Sequence, residues 1–164
     1  MTIKSPQELI AVKLQQIQDA ETEASRVLNE IKSHARSPEF KAAIDRRLEE
    51  GKKVLDGVRE ALPKLGAKVS GSVQNAAARG IIEEARSFLK QVDQPELKEA
   101  VAIGGVQSLE HYCIATWGTV KALAKQIGAK DIAQTMERAL DSGKRLDSEL
   151  TRIAESRVNP AAAR

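Results

Sequence analysis

The sequence predicts an all-α protein: an antiparallel four-helix bundle with an additional, shorter crossover helix. Four stretches carry apolar residues at alternating spacings of three and four, the pattern of a helix with one buried stripe. Aromatic residues make up only 2% of the chain, so the core must be aliphatic. Strand-like alternation is hard to find, and Pro and Gly are modest in number.

A polar or very small residue interrupts each apolar stripe near its middle. The interruptions are Glu21 in the first stretch, Gly51 in the second, Glu110 with Cys113 in the third, and Gly143 in the fourth. If the helices pack antiparallel, these positions fall at one level of the bundle. A polar or hollow layer halfway down a four-helix core is where such bundles hold metal ions.

Capping residues predict where the first two helices begin. Ser5–Glu8 contains an N-cap serine, a first-turn proline and the glutamate of a capping box, and the helix should run to about Ala35. Ser37–Glu39 repeats this serine–proline capping pattern at the start of the second helix. The turn between the two helices is therefore short, and the helices are antiparallel neighbours. Helix two should end near Leu62-Pro63, with Gly66 as a second stop signal.

The next segment should carry the chain back across the bundle. Ser70–Ser72 predicts a loop, and a shorter helix should follow from Val73 to about Val92. Pro95 then starts a long helix that ends at Gly128, a plausible C′ residue. The last long helix begins near Asp131 and fades by residues 159–160. Two antiparallel pairs joined by a long crossover give a ferritin-like arrangement.

Length and composition favour one cytoplasmic domain. The 164 residues suit a single core over residues 1–158, with a frayed tail at 159–164. Cys113 is the only cysteine, the N-terminus lacks the apolar region of a secretory signal, and no apolar run approaches the ~20 residues of a membrane span. The net charge is only +3 and the basic residues are dispersed among acids. We therefore expect no nucleic-acid binding and no membrane association.

Glu21 and Glu110 should point their carboxylates into the core, because both lie in line with apolar positions. Two carboxylates facing an apolar core cannot both stay charged without a cation or a proton. Three solutions remain open: a bound divalent metal, a buried Lys or Arg, or protonation. Gly51 and Gly143 leave room in the same layer for a void, for water or for the large side chain of a neighbour, and Trp117 or Lys52 is a natural occupant.

Several motifs resemble the YciE/YciF ferritin-like family. The string from Glu110 to Thr119, EHYCIATWGT, is similar to the family signature EHYE-x-A-x-YGT, and Gly80–Glu84 is similar to its GLI-x-E crossover motif. Leu48–Glu50 resembles the LEE of helix two, and Ala20-Glu21 the AE of helix one. The resemblance covers nearly the whole chain. It implies a ferritin-like bundle, a carboxylate-bridged two-metal centre and an association with bacterial stress responses.

The chain departs from the family at several ligand positions. The second glutamate of EHYE is Cys113 here, the acidic or His position in helix two is Lys52, and the last-helix acidic run is Asp141–Lys144. The ligand-like positions that survive are Glu21, Glu49, Glu84 and Glu110. We therefore predict that the Lys52 ammonium reaches between the inward carboxylates and neutralises them where the family holds metal.

The sequence thus predicts a stress-associated helical-bundle protein with a degenerate two-metal centre, no cofactor and no catalytic residue. It would act as a homodimer in a structural or interaction role. The alternative is a metal-dependent oxidase or peroxide-handling protein, using iron, manganese or a mononuclear zinc on Glu21, Glu49, Glu110 and Cys113. A redox role for Cys113 is a third option, but a core position favours a buried, inert thiol.

Overall fold

The computed structural model describes residues 2–67, 71 and 73–164, and every regular element within them is helical. The main helices are α1 (Pro6–His34), α2 (Pro38–Ala61), α3 (Ala76–Gln91), α4 (Pro95–Gln126) and α5 (Lys130–Ile153). A 3-10 turn (Leu62–Leu65) follows α2, and a π-helical turn (Ala154–Val158) and a short α6 (Asn159–Ala162) follow α5. No helix in the described residues is long and apolar enough to cross a bilayer.

Four long helices form a ring in the order α1, α2, α5, α4, each in contact with its two neighbours. Short turns at residues 35–37 and 127–129 make α1 with α2, and α4 with α5, antiparallel pairs. Helix α3 packs outside the ring against α1 and α4, and it carries the chain from the end of α2 to the start of α4. The predicted all-α, ferritin-like four-helix bundle with a shorter crossover helix is confirmed.

Aliphatic side chains build the core, as the low aromatic content requires. Their burial, at about 25 cal/mol per Å2 of apolar surface, supplies the main driving force for folding. Buried apolar side chains therefore line the interior of the ring on both sides of a polar layer. The largest fully buried apolar side chains are Phe40, Ile10, Leu14, Leu28, Ile31, Ile44, Ile103, Met136 and Leu150.

The start of α1 has the predicted serine cap, but the Glu8 carboxylate bonds to a different backbone N–H from the one that a capping box uses. The Ser5 hydroxyl accepts a hydrogen bond from the Glu8 N–H at 3.1 Å. The Glu8 carboxylate accepts from the Lys4 N–H at 2.7 Å, one residue earlier than a capping box would have it.

The start of α3 is capped by Asn75, whose side chain accepts from the Ala78 N–H at 3.0 Å. That cap places the start of α3 at Ala76, three residues later than predicted.

The start of α2 differs from the prediction, because the Ser37 side chain makes no capping hydrogen bond to its own helix. Glu99 of α4 performs this task instead. Its Oε1 accepts from the Arg36 N–H at 3.0 Å, the Ser37 N–H at 2.7 Å and the Ser37 hydroxyl at 2.8 Å. A carboxylate at a helix N-terminus is also favoured by the helix dipole. The contact fixes the first turns of α2 and α4 at the same end of the bundle.

The helix ends agree with the sequence except at the C-terminus. Gly66 and Gly128 both adopt left-handed backbone angles, with φ of 64° and 71°, which confirms the two glycine stop signals. The last helix does not fade at residues 159–160 as expected, because α6 continues it to Ala162. The frayed tail at residues 159–164 stays a prediction. Pro160 is the second residue of α6 and follows directly on the π-helical turn, so its missing N–H falls where the regular α-helical hydrogen bonds are already interrupted. The single-domain boundary stays a prediction, and Ser70 and Ser72 of the predicted loop lie outside the described residues.

Replacing Glu99 by Ala should lower the free energy of unfolding by about 2–3 kcal/mol, because two backbone N–H groups and one hydroxyl lose a buried acceptor. Denaturant unfolding measures this loss. Glu96→Ala is the matched control, since Glu96 lies one turn away, is half-buried and pairs with the exposed Arg36 side chain. Equal losses in the two variants would contradict the capping role of Glu99.

Candidate functional site

A guanidinium lies between the two inward carboxylates at the middle of the bundle. Arg47 projects from α2 towards Glu21 on α1 and Glu110 on α4, and the three residues are only 4%, 2% and 1% exposed. Arg47 Nη1 and Nη2 donate to Glu21 Oε2 and Oε1 at 2.9 and 3.1 Å, and Arg47 Nε donates to Glu110 Oε2 at 2.5 Å. These residues form one buried ion-paired group, called here the Glu–Arg–Glu cluster.

The apolar spacing of α2 explains why Arg47 points inward. The buried positions of this helix follow one another at spacings of three and four residues, which keeps them on one face. Arg47 and Gly51 occupy two positions of that face, between apolar residues on both sides. The whole buried face reads Phe40, Ala43, Ile44, Arg47, Gly51, Val54, Val58 and Ala61.

Two glycines make room for the cluster. A Cβ at Gly51 would lie 2.8 Å from both Arg47 Nη1 and Glu21 Oε2. A Cβ at Gly143 of α5 would lie 2.6 Å from Glu110 Oε1 and 2.8 Å from Trp117 Cζ3. Of the three outcomes left open for these glycines, the structure shows the entry of large neighbouring side chains. Trp117 is one occupant as predicted, whereas the other is Arg47 instead of Lys52.

Cys113 and Trp117 complete the surroundings of the guanidinium, and they lie one and two helical turns after Glu110 along α4. The Arg47 Cζ atom lies 5.4 Å from the centroid of the Trp117 ring, within range of a cation–π interaction. The Cys113 sulphur lies 3.9 Å from Arg47 Nη2. Burial raises the pKa of the Cys113 thiol well above its ordinary value. Because the thiolate is the reactive form, this cysteine is poorly suited to redox chemistry.

The cluster holds two carboxylates against one guanidinium. Burial alone would lower the pKa of Arg47, but Glu21 and Glu110 outweigh it and raise that pKa well above its ordinary value. Burial raises the pKa of Glu110, and the attraction of Arg47 only partly opposes it. Glu110 Oε1 is buried, faces Gly143 and has no hydrogen-bond partner among the described residues. Glu110 therefore holds a proton more readily than an exposed glutamate would.

Lys52 does not neutralise the core, and that prediction is wrong. Its side chain is exposed on α2. Position 52 is rotated by about 140° from position 47 on an α-helix, so the two side chains cannot share a face. Glu49 is likewise exposed, because two residues rotate it by about 200° from Arg47. Glu84 lies on the outer side of α3 and is exposed too. Of the four surviving ligand-like positions, only Glu21 and Glu110 meet in the core.

The resemblance implies a two-metal centre, and the residues of this chain do not fit one. Such a centre draws on about four carboxylates and two histidines, whereas two carboxylates face the middle of this bundle. The Arg47 guanidinium lies between them, where an ion would have to bind. Within residues 2–67, 71 and 73–164, no group of three or more His, Cys, Asp or Glu is arranged to hold a metal ion. The mononuclear set with Glu49 is likewise not brought together.

The family described as Domain of unknown function (DUF892) matches residues 5–163. The chain belongs to this family. It is 26% identical over 162 residues to Protein YciF of Escherichia coli (strain K12), covering 99% of this chain and 98% of YciF. The predicted resemblance to the YciE/YciF family is confirmed.

Two solved structures closely match the bundle. The crystal structure of the Escherichia coli stress protein YciF superposes with a TM-score of 0.87 at 25% identity, covering 96% of this chain and 99% of that one. YcfI from Rhodopseudomonas palustris, described as a candidate structural protein, gives a TM-score of 0.84 at 28% identity, with 91% and 94% covered. The fold is therefore shared along almost the full length of the chain.

Arg47→Met should lower the free energy of unfolding by about 3–5 kcal/mol, because it leaves two buried carboxylates without their partner. Lys52→Met is the matched control, since it makes the same kind of change at an exposed position of the same helix. That control should stay within about 0.5 kcal/mol of the wild type. Urea unfolding of the three proteins measures both values, and similar losses in the two variants would contradict the cluster.

Glu110→Gln should change how stability depends on pH. The folded state holds the Glu110 proton more tightly than the unfolded chain does, because the pKa is raised from 4.5 on folding. This contribution is complete below the unfolded pKa and is lost as pH rises through the folded pKa. Glutamine cannot lose a proton, so the variant should gain stability relative to the wild type across that window. Urea unfolding at a series of pH values tests this, and parallel stability curves would contradict it.

Proposed function

We propose that this chain is a non-catalytic structural or interaction protein associated with bacterial stress responses, and that its metal centre is degenerate. The observation that carries the proposal is the Arg47 guanidinium between Glu21 and Glu110. The description of YciF as a stress protein and of YcfI as a candidate structural protein supports the biological role. A cytoplasmic location and a homodimer are parts of the same proposal.

The chemistry of the buried layer argues against catalysis. An oxidase or peroxide-handling protein of this fold needs metal ions with positions open to the reactant. Here both inward carboxylates are engaged by one guanidinium, and the thiol beside them is held in its unreactive form by burial. The cluster serves instead as a neutralising cross-link between α1, α2 and α4.

Protein purified without chelators should contain far less than one equivalent of iron, manganese or zinc per chain, as measured by elemental analysis. Its thermal unfolding midpoint should be the same in EDTA and in millimolar manganese or zinc, because an ion that binds only the folded state would raise it. The matched variant is Glu21→Gln, which removes a carboxylate that a central ion would need but leaves surface histidines intact.

About two equivalents of iron or manganese per chain, lost in Glu21→Gln, would overturn the proposal. Metal-dependent consumption of oxygen or peroxide that disappears in Glu110→Ala would favour the enzyme instead. Ions that remain bound in Glu21→Gln lie outside the central layer and leave the proposal standing.

A further inference from the structure

Asn75 ties three helices together at the start of α3. Its backbone N–H donates to Asp19 Oδ2 at 2.8 Å, and its Nδ2 donates to the Gln16 carbonyl oxygen at 3.1 Å, both on α1. Its Oδ1 accepts from the Ala78 N–H of α3 at 3.0 Å and from the Tyr112 hydroxyl of α4 at 2.8 Å. Asn75 is only 2% exposed, so the loss of these partners would leave buried polar groups unsatisfied.

Asn75 also closes a narrow gap between α1 and α4. The gap has no space for a water molecule. Among the described residues that line it, Asn75 is the only one that lies outside these two helices. Its inner wall includes Glu21 of the Glu–Arg–Glu cluster and Cys113, whose sulphur lies beside the Arg47 guanidinium. Asn75 therefore covers the side of the gap that faces away from the cluster.

Ion pairs on the surface hold α3 to α1. Arg79 donates to Asp19 Oδ1 at 2.7 Å, to Asp19 Oδ2 at 3.1 Å and to Glu23 Oε1 at 3.2 Å. Further along α3, Arg86 donates to both carboxylate oxygens of Glu30, each at 2.7 Å. Ion pairs that water can reach contribute little to stability. These contacts can therefore separate at a small cost, whereas the buried bonds of Asn75 cannot.

Helix α3 buries fewer side chains than the helices of the ring. Its four buried residues include two alanines, and they are Ala78, Ile82, Ala85 and Leu89. Each helix of the ring buries at least eight residues. Segments with few buried apolar contacts open at a lower free energy than the rest of a protein. Because α3 lies outside the ring, its departure would leave the four-helix core in place.

We propose that α3 is a lid over the gap between α1 and α4, that it opens as a unit while the four-helix ring stays folded, and that Asn75 is the residue that holds it closed. Opening separates Asn75 from Gln16 and Tyr112, and the inner wall of the gap then becomes accessible to small molecules from the solvent. The Glu–Arg–Glu cluster is thereby reached from one side of the bundle without global unfolding. This inference goes beyond the proposed function and does not depend on it.

Cys113 is a native probe of the opening, because it lines the inner wall of the gap and is the only cysteine of the chain. Its alkylation by iodoacetamide, followed by mass spectrometry, should be measured at increasing urea concentrations below the unfolding transition. At low urea the labelling rate should depend only weakly on urea, because an opening lid exposes little surface. A labelling rate that follows global unfolding at every urea concentration would overturn the lid.

Asn75→Ala tests the residue that holds the lid closed. The variant loses the two hydrogen bonds to Oδ1 and the one from Nδ2. Its Cys113 should be labelled about tenfold faster than that of the wild type without urea, or faster still, because buried hydrogen bonds are lost from the closed state alone.

Glu99→Ala is the matched control, because Glu99 also makes three buried or half-buried hydrogen bonds, but to the turn before α2. Its labelling rate should rise only as far as its loss of global stability requires. Equal acceleration in Asn75→Ala and Glu99→Ala, after correction for global stability, would overturn the role of Asn75.

Hydrogen exchange identifies the element that opens. The amides of residues 79–91 in α3 should exchange with the same weak urea dependence as the labelling of Cys113, and faster in Asn75→Ala. Amides in the middle turns of the four ring helices should exchange only through global unfolding. Exchange of α3 as slow as that of the ring would overturn the lid. The metal content enters none of these measurements, so the lid and the proposed function stand or fall separately.

Discussion

The pairing of buried charge is the constraint on which the middle of this bundle depends. A carboxylate inside an apolar core needs a cation or a proton, and here one guanidinium serves two carboxylates. The neighbouring positions follow from that requirement. Gly51 and Gly143 have no side chain because the cluster fills the space a Cβ would take. Trp117 covers the guanidinium with its ring.

The cluster also fixes the relative positions of three helices. Arg47 of α2 can reach Glu21 of α1 and Glu110 of α4 together only when all three helices are in register. Buried ion pairs seldom stabilise a fold more than well-packed apolar residues would, but breaking one is costly. Such a group therefore selects one register strongly. Glu99 adds a second polar link at the bundle end, between α4 and the turn before α2.

The sequence was sufficient to predict the fold and the two carboxylates of the cluster, but not its guanidinium. Helical periodicity and capping residues predicted the bundle, and the inward carboxylates Glu21 and Glu110 were placed correctly. Arg47 was not predicted, because Leu48 and Leu55 also form a helical apolar stripe with Ile44, Gly51 and Val58, and a stripe through those leucines leaves Arg47 outside it. The signal was present, since Phe40, Ile44, Gly51 and Val54 put Arg47 on the buried face. The Glu99 cap could not be predicted, because its partners are over sixty residues away in the chain.

The most direct measurement is a high-resolution crystal structure of the protein grown with manganese or zinc, with anomalous scattering to locate any ion. The account predicts the Arg47 guanidinium between Glu21 and Glu110, and no anomalous peak in the central layer. An ion bound by Glu21 and Glu110, with Arg47 turned out of the core, would contradict it.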